Sequence, residues 1–259
     1  MCMRKYPGYL CDLDGTVYLS ERLLPGARET ILALREAGSR IVFMSNKPLQ
    51  PRSDYADKLN HLGIPVEVDD VINSSYVLAQ HLAREAPGAR LFVLGEPPLL
   101  AELRDAGLQI TDDPVEVEYV VAAFDRTFAY DKLYTAFLAI RHGAHLIATN
   151  ADRTCPVEGG ELPDAASVIG AIEGCTGAKL EWVAGKPSRM MVEVGLRRLG
   201  VPPHDCLVVG DRIETDVRMG IEAGTATALV LTGVTSLARM AEFPYRPDYV
   251  LDSIADLLH

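Results

Sequence analysis

Short apolar runs alternate with amphipathic segments along most of this chain. The runs at residues 9–13, 40–44 and 206–209 have the length and apolar content of buried strands. Between the first two, residues 27–37 place apolar side chains at helical spacing and end at Gly38. Strands that alternate with helices through short connections predict an α/β fold built on a doubly wound parallel sheet.

A second series of the same kind occupies the middle of the chain. Its predicted strands and helices are residues 91–95, 96–106, 119–124, 130–141 and 145–149. Because this series has apolar residues for a core of its own, we expect an inserted α/β domain over residues 77–181. Residues 1–76 and 182–259 would then form the other domain. Residues 156–163, rich in Gly, Pro and Glu, are predicted to be a loop.

Amino-acid composition and net charge limit the classes of protein to which this chain can belong. The 259 residues are 48% hydrophobic, which is enough for two modest cores. A net charge of −11 and a pI near 5.0 argue against nucleic-acid binding, since such proteins concentrate positive charge. We expect no membrane partner, because the chain has neither an 18-residue apolar run nor a signal-peptide core at its start. The five scattered cysteines form no CxxC pair and predict reduced thiols in the cytoplasm.

Two carboxylates, Asp12 and Asp14, stand at the end of the first predicted strand, directly before Gly15. Glycine lets the chain turn back, and ligands of open α/β sheets bind just beyond the strand ends. Adjacent carboxylates repel each other unless a cation is close. The stretch therefore predicts a hard metal ion, a protonated aspartic acid, or both. Alone, it also fits a calcium loop or a glycosyltransferase metal site, although residues 16–18 lack the further oxygen ligands of a calcium loop.

Three further polar clusters follow predicted strands of the same domain. They are Ser45 with Asn46, then Lys186, then Asp211 with Asp216. Strand ends of one parallel sheet converge on one edge, so these side chains can meet although they are far apart in sequence. Each cluster alone has a structural explanation: a strand-end turn, a helix entry at a proline, and a helix N-cap followed by a solvated acid. A shared site is favoured because all four clusters follow strands.

Together, the four clusters resemble the motifs of the haloacid dehalogenase superfamily of phosphotransferases. The DxDGT form of residues 12–16 and the GDRxxTD form of residues 210–216 are the most specific. The insertion between the second and third motifs resembles the class II cap arrangement. Residues 149–152 and the glycines after them resemble subclass IIA, which contains the NagD-like and para-nitrophenyl phosphatases. The resemblance covers nearly the whole chain and implies a Rossmann-like core with an inserted α/β cap of the C2 type.

This resemblance implies catalytic and metal-binding roles that the chemistry of phosphoryl transfer supports. Asp12 would attack phosphorus and form an aspartyl phosphate. Asp14 would protonate the leaving group and then accept a proton from water. Mg²⁺ would be held by Asp12, by the main-chain carbonyl of Asp14 and by Asp211.

The remaining clusters would bind phosphate and orient these groups. Lys186 would contact both the phosphate and Asp12. Ser45 and Asn46 are expected to supply further donors. Asp216 would orient either a metal-bound water or Lys186.

These roles predict a Mg²⁺-dependent phosphomonoesterase that acts on small phosphorylated metabolites. The resemblance suggests sugar phosphates or glycerol phosphate, with para-nitrophenyl phosphate as an artificial substrate. The cap is expected to exclude large substrates, to contact the leaving group through Asn150 and Asp152, and to form a homodimer. Two alternatives stay open: a phosphotransferase or mutase that uses the same intermediate, and a regulatory protein that binds phosphometabolites with little turnover.

Three cationic side chains receive no firm role from the sequence. Lys47 stands where many subclass members have a second asparagine, and it could be a second cation for the substrate or a surface residue. Arg153 directly follows Asp152, which is expected to contact the leaving group, and the sequence assigns no role to its side chain. Arg126 could meet a substrate anion, but a solvated loop arginine is the favoured interpretation.

Overall fold

The computed structural model describes residues 4–157 and 160–258. The strands in chain order are β1 (Gly8–Asp12), β2 (Tyr18–Leu19), β3 (Arg22–Leu23), β4 (Arg40–Ser45), β5 (Val71–Asn73), β6 (Arg90–Leu94), β7 (Gln109–Ile110), β8 (Tyr119–Ala122), β9 (His145–Ala148), β10 (Thr154–Val157), β11 (Gly160–Pro163), β12 (Trp182–Val183), β13 (Cys206–Gly210), β14 (Ala226–Val230) and β15 (Tyr249–Leu251). The helices are α1 (Ala27–Glu36), α2 (Arg52–His61), α3 (Ser74–Glu85), α4 (Pro97–Asp105), α5 (Tyr130–Arg141), α6 (Ala165–Thr176), α7 (Arg189–Leu199), α8 (Arg218–Ala223) and α9 (Leu237–Met240).

The chain divides into two compact units. The core unit comprises the described residues up to Ser45, then Arg52–Ile72, then the residues from Lys186 onward. The inserted unit comprises Asn46–Pro51 and Asn73–Gly185. The predicted cap, residues 77–181, lies inside the second of these ranges. Its assignment as a functional domain stays a prediction.

The core unit is built on a six-stranded sheet with the strand order β15-β14-β13-β1-β4-β5. Strand β1 pairs in parallel with β13 on one side and with β4 on the other. The chain therefore runs outward from β1 in both directions, which is the arrangement of a doubly wound sheet. The predicted fold class is confirmed.

Side chains of β1 alternate between the two faces of this sheet, as the pleat requires. Tyr9 and Cys11 belong to a buried apolar cluster that also contains Phe43 of β4. Leu10 points the other way, toward α7, where a Cβ on Gly195 would collide with its side chain. Both faces of the central strand are therefore covered, which explains why its sequence is uniformly apolar until Asp12.

The inserted unit has its own parallel sheet, with the strand order β12-β9-β8-β6-β7. Its buried cluster includes Val120 of β8, Leu146 of β9 and Ile172 of α6. Helix α3 is capped by Asn73, whose side chain accepts a hydrogen bond of 2.9 Å from the backbone N–H of Tyr76. The second predicted α/β series therefore forms a sheet with its own core.

The loop predicted at residues 156–163 is wrong. Strands β10 and β11 form an antiparallel hairpin there, in which Thr154 is paired with Pro163 and Cys155 with Leu162. Gly160 and Pro163 are the terminal residues of β11, and Pro156 lies within β10, so glycine and proline do not mark an irregular loop here. Residues 158 and 159, which fall inside this prediction, lie outside the described residues, as does Cys2.

Within residues 4–157 and 160–258, no helix combines the length and the apolar character that crossing a membrane requires.

Candidate active site

The register of the core sheet brings three of the predicted clusters to one edge. Asp12, the last residue of β1, is paired with Met44 of β4, so Ser45 follows directly beside it. On the other side, Cys11 is paired with Val209 of β13, so Asp211 lies just beyond the level of Asp12. The carboxyl ends of β4, β1 and β13 thus carry Ser45, Asp12 and Asp211, as the parallel arrangement predicts.

Lys186 joins this edge from the beginning of the segment that leads into α7. Its ammonium nitrogen Nζ forms an ion pair with Oδ1 of Asp12 and a second with Oδ1 of Asp216, 2.8 Å away. Lys186 is 4% exposed and Asp216 is 1% exposed. A buried lysine needs such partners, because an unpaired charge away from water is costly.

Asp216 reaches the site from a single turn of π-helix, Ile213–Val217, that follows β13. Its Oδ2 accepts a hydrogen bond of 3.2 Å from the backbone N–H of Arg212. A Cβ at Gly210 would collide with the Asp216 carboxylate, so this position must be glycine for the side chain to fold back over the strand end. The predicted GDRxxTD motif therefore brings both of its acids to the same edge.

Asp14 lies in the turn after β1. The turn is closed by the backbone N–H of Gly15, which donates a hydrogen bond of 2.8 Å to the carbonyl of Tyr18, and by that of Val17, which donates one of 2.9 Å to the carbonyl of Leu13. Gly15 has a φ of +85°, a backbone conformation that residues other than glycine rarely adopt. Asp14 is half-buried in this turn.

Electrostatics at this edge are dominated by burial and by the closeness of like charges. Burial raises the pKa of Asp12 well above its ordinary value, and the ion pair with Lys186 opposes that shift. Burial also raises the pKa of Asp211 to about 6; the charge of Asp216 adds to the shift and the N–H of Val234 opposes it. For Lys186, burial works against the ammonium, but the two carboxylates outweigh it and raise its pKa.

Three carboxylates at this edge are arranged so that they can hold a metal ion. Asp12, Asp211 and Asp216 each offer an oxygen, and these atoms lie within 4.8 Å of one another. Against the single ammonium of Lys186, the three acids leave two negative charges uncompensated. A divalent cation would offset those charges and relieve the raised carboxylate pKa values. Carboxylate oxygens are also the ligands that Mg²⁺ prefers, so the residues fit such an ion.

Asn46, Asn150 and Asp152 come together in the inserted unit. The side-chain amide of Asn46 donates a hydrogen bond of 2.7 Å to Oδ2 of Asp152. The amide of Asn150 donates one of 2.9 Å to the same oxygen and one of 3.3 Å to Oδ1 of Asp164. The side chain of Asn46 therefore belongs to a hydrogen-bond network with the two predicted leaving-group residues.

Asp164 is a member of this network that the sequence interpretation missed. Its Oδ1 caps the first N–H of α6, and its backbone N–H donates a hydrogen bond of 3.0 Å to the carbonyl of Arg153. Burial raises the pKa of Asp164, and the charge of Lys47 opposes that shift. The available signal was an aspartate directly before a predicted helix, which is a frequent N-cap. The Arg153 side chain itself is exposed.

Arg126 is exposed, as interpreted, but it is also paired. Its guanidinium donates two hydrogen bonds of 2.7 Å to the two carboxylate oxygens of Glu96. The pKa of Glu96 is lowered, mainly by these hydrogen bonds. Glu96 lies 30 positions before Arg126 in the chain. Glu96 follows β6 and Arg126 follows β8, and the two residues meet because these strands are neighbours in the sheet.

Comparisons with known proteins agree with this geometry. A family profile described as haloacid dehalogenase-like hydrolase matches residues 9–109, and another described as HAD-hydrolase-like matches residues 183–257. Sugar-phosphatase AraL of Bacillus subtilis (strain 168) is 44% identical over 250 residues, which are 96% of this chain and 91% of that protein.

Two solved structures are similar over nearly the whole chain. The p-nitrophenyl phosphatase from Archaeoglobus fulgidus has a TM-score of 0.93 at 36% identity, covering 98% of this chain and 99% of that chain. The glycerol phosphate phosphatase from Mycobacterium tuberculosis, in complex with magnesium, has a TM-score of 0.90 at 32% identity, covering 98% of this chain and 77% of that chain.

The fold, the motifs and the similar proteins define a phosphatase, that is, a hydrolase of phosphoric monoesters. The chain belongs to the haloacid dehalogenase-like hydrolases, in the branch of the NagD-like and p-nitrophenyl phosphatases. The resemblance inferred from the four motifs is confirmed.

Proposed function

We propose that this phosphatase hydrolyses small sugar phosphates and related phosphomonoesters, using Mg²⁺ and an aspartyl phosphate formed on Asp12. The observation that carries the proposal is the meeting of Asp12, Lys186 and Asp211 at the carboxyl edge of the core sheet. The 44% identity to a sugar phosphatase supports the substrate class.

The residues of this edge would divide the reaction into two steps. In the first, a carboxylate oxygen of Asp12 forms a bond to phosphorus as the bond to the leaving oxygen breaks, and Asp14 gives that oxygen a proton. In the second, water attacks the phosphorus of the aspartyl phosphate, Asp14 takes a proton from that water, and inorganic phosphate leaves. Lys186 would hold the attacking carboxylate and bind a phosphoryl oxygen, and Ser45 would donate to another.

In this proposal, Mg²⁺ would bind at the carboxyl edge of the core sheet. Asp12 and Asp211 would hold the ion with their carboxylates, together with the main-chain carbonyl of Asp14. When bound, it would supply positive charge to the phosphoryl oxygens. Asp216 would act through Lys186, to which it is already paired.

Phosphate release from a panel of phosphomonoesters tests the proposal. The panel contains hexose and pentose phosphates, glycerol phosphate, a nucleoside monophosphate and para-nitrophenyl phosphate, each with Mg²⁺ and with EDTA. We expect Mg²⁺-dependent turnover that Asp12→Asn lowers by at least about a thousandfold. The matched control is Asp57→Asn, an exposed aspartate on α2. A folded protein that hydrolyses none of these esters would contradict the proposal.

Water labelled with ¹⁸O separates hydrolysis from transfer to another acceptor. Hydrolysis through an aspartyl phosphate places a single labelled oxygen in the released phosphate. If sugars or alcohols added as acceptors instead collect the phosphoryl group and no inorganic phosphate is released, the enzyme is a phosphotransferase.

The proposal keeps three further expectations from the sequence. A small ester should be hydrolysed and a phosphopeptide should not. A homodimer formed through the inserted unit is supported by large exposed apolar side chains there, among them Val115, Tyr130 and Tyr134. Light scattering after size exclusion would test it, with Tyr130→Ser expected to favour the monomer. A cytoplasmic location is kept on the basis of the scattered cysteines.

A further inference from the structure

A polar segment that matches none of the four predicted motifs lies against the acidic turns of the core unit. It comprises residues 232–235, directly after β14 and Leu231. Strand β14 pairs in parallel with β13, with Leu229 beside Gly210. The segment after β14 therefore emerges at the edge where Asp211 follows β13.

This segment holds Asp211 through its side chain and its main chain. The backbone N–H of Val234 donates a hydrogen bond of 2.7 Å to Oδ2 of the Asp211 carboxylate. The backbone N–H of Thr235 donates one of 3.1 Å to the main-chain carbonyl of Asp211. The hydroxyl of Thr235 accepts one of 3.1 Å from the backbone N–H of Ile213. Two consecutive residues thus fix Asp211 at two points, and the Thr235 hydroxyl also holds Ile213, two positions after it.

The same segment reaches the turn that carries Asp14. The hydroxyl of Thr232 donates a hydrogen bond of 2.6 Å to the carbonyl of Gly15. A Cβ on Gly15 would lie 2.7 Å from Oδ2 of Asp211, and one on Gly233 would collide with the same carboxylate. Two glycines from separate parts of the chain therefore let the Asp211 carboxylate lie against the backbone.

We propose that residues 232–235 are a positioning element that aims the Asp211 carboxylate at the metal and ties it to the turn of Asp14. Oδ2 accepts from the N–H of Val234 and lies against the backbone at Gly15 and Gly233, so Oδ1 is the oxygen that we expect Asp211 to offer to the cation. A ligand held in this way gives up little rotational freedom when the ion binds, which strengthens binding. The inference rests on the proposed use of Mg²⁺.

Removal of one backbone donor tests the proposal. Val234→Pro deletes the N–H that contacts Asp211, whereas Val234→Ala keeps it and shortens an exposed side chain. Mg²⁺ alone is the probe, and the readout is the Mg²⁺ concentration that gives the half-maximal rise in Tm. We expect Val234→Pro to need about tenfold more Mg²⁺, because a hydrogen bond to a charged oxygen is lost. Val234→Ala should behave as the wild type.

A second pair of variants keeps the test valid if Val234→Pro does not fold. Thr235→Val removes the hydroxyl that accepts a hydrogen bond from the N–H of Ile213, whereas Thr235→Ser retains a hydroxyl at this position. Thr235→Val should weaken Mg²⁺ binding, and Thr235→Ser should recover it. A purely structural role would lower Tm in EDTA and leave the Mg²⁺ concentration for the half-maximal rise unchanged. That result in each pair whose variants fold would overturn the proposal.

Metal binding and turnover are measured separately, so the two proposals can fail separately. If the wild type gains Tm with Mg²⁺ but hydrolyses no ester, the proposed function fails and the variants still decide the role of residues 232–235. If turnover depends on Mg²⁺ and its Mg²⁺ titration is the same in wild type, Val234→Pro and Thr235→Val, the positioning role fails alone.

Discussion

The Nζ nitrogen of Lys186 lies 2.8 Å from Oδ1 of Asp216, and both side chains are almost fully buried. The same ammonium is paired with Asp12. The lysine therefore connects the proposed nucleophile to an acid that follows β13. This contact agrees with one of the two roles expected for Asp216, that of orienting Lys186.

Asp216→Asn removes the charge that holds this lysine while keeping the shape of the side chain. Lys186 would keep only Asp12 as its ionic partner, and its position relative to the attacking oxygen would be less fixed. We expect kcat/KM for para-nitrophenyl phosphate to fall roughly 10- to 100-fold, with the fold retained. Circular dichroism and steady-state rates check this, with Asp57→Asn as the matched control. Unchanged rates would mean that Asp12 alone positions Lys186.

Gly233→Ala should weaken metal binding without unfolding the protein. Position 233 is exposed, but the added methyl group would collide with the Asp211 carboxylate, which must then rotate away from its Val234 contact. We expect the Mg²⁺ concentration for half-maximal activity to rise by about tenfold or more, since a ligand carboxylate is displaced. Titration of turnover with Mg²⁺ measures this. If Gly233→Ala keeps the Mg²⁺ dependence of the wild type, the Asp211 carboxylate accommodates the methyl group without losing its position, which would contradict this prediction.

Gly174→Ala is the contrasting glycine substitution. Gly174 lies in α6, and a Cβ there would meet nothing within 4 Å. Alanine loses less backbone entropy in a helix, so we expect the inserted unit to be stabilised by about 0.5–1 kcal/mol. Urea unfolding followed by the fluorescence of Trp182, the single tryptophan, reports on this unit. A lower unfolding midpoint would contradict the open surroundings of Gly174.

A double-mutant cycle should show coupling between Asn46 and Asp152. The 2.7 Å hydrogen bond from the amide to the carboxylate is expected to contribute about 1 kcal/mol, since it is partly exposed. Asn46→Ala, Asp152→Asn and the double variant are compared with the wild type by urea unfolding at Trp182. Additive effects of the two substitutions would show that the hydrogen bond is not formed in solution.

Stability of the inserted unit should depend on pH through Glu96. Its pKa in the folded state is lowered by Arg126, so the folded state binds fewer protons than the unfolded state in acid. The stabilisation is fully present above about pH 4.3, the ordinary pKa of glutamate, and is lost as pH falls through the lower folded value. Arg126→Met should therefore destabilise the unit at pH 7 and less near pH 3.5.

The exposed Arg141 on α5 provides the control for this pH effect, as Arg141→Met. Unfolding midpoints at Trp182 are compared at the two pH values for both variants. An equal loss for Arg126→Met at both values would mean that Arg126 acts through packing rather than through the charge of Glu96.

The core sheet and the acids at its edge were predictable because parallel strands place their carboxyl ends together. Asp12 and Asp211 needed only that rule. The contacts of Asn46 did not follow from that rule, because Asn46 comes directly after the strand end at Ser45 but belongs to the inserted unit. Its partner, Asp152, lies 106 positions away, and no local pattern indicates such a contact.

The shortest strands also could not be predicted from the pattern of apolar and polar residues. The two residues each of β2 and β3 pair in a hairpin, but a run of that length has no detectable period. The hairpin of β10 and β11 was mistaken for a loop because its glycine and proline content outweighed its alternation. The segment 232–235 was missed for a different reason. Its contacts with Asp211 come mainly from backbone N–H groups, which every residue except proline possesses.

The order of strands in the core sheet also decides when that sheet can form during synthesis. Its first strand, β1, is paired with β13, so Gly8 must wait for Cys206, about 200 positions later in the chain. Residues 73–185, which form most of the inserted unit, are complete before β13 has been made. On the ribosome, the unit in the middle of the chain can therefore fold while β1 still lacks β13, one of its two neighbours in the core sheet.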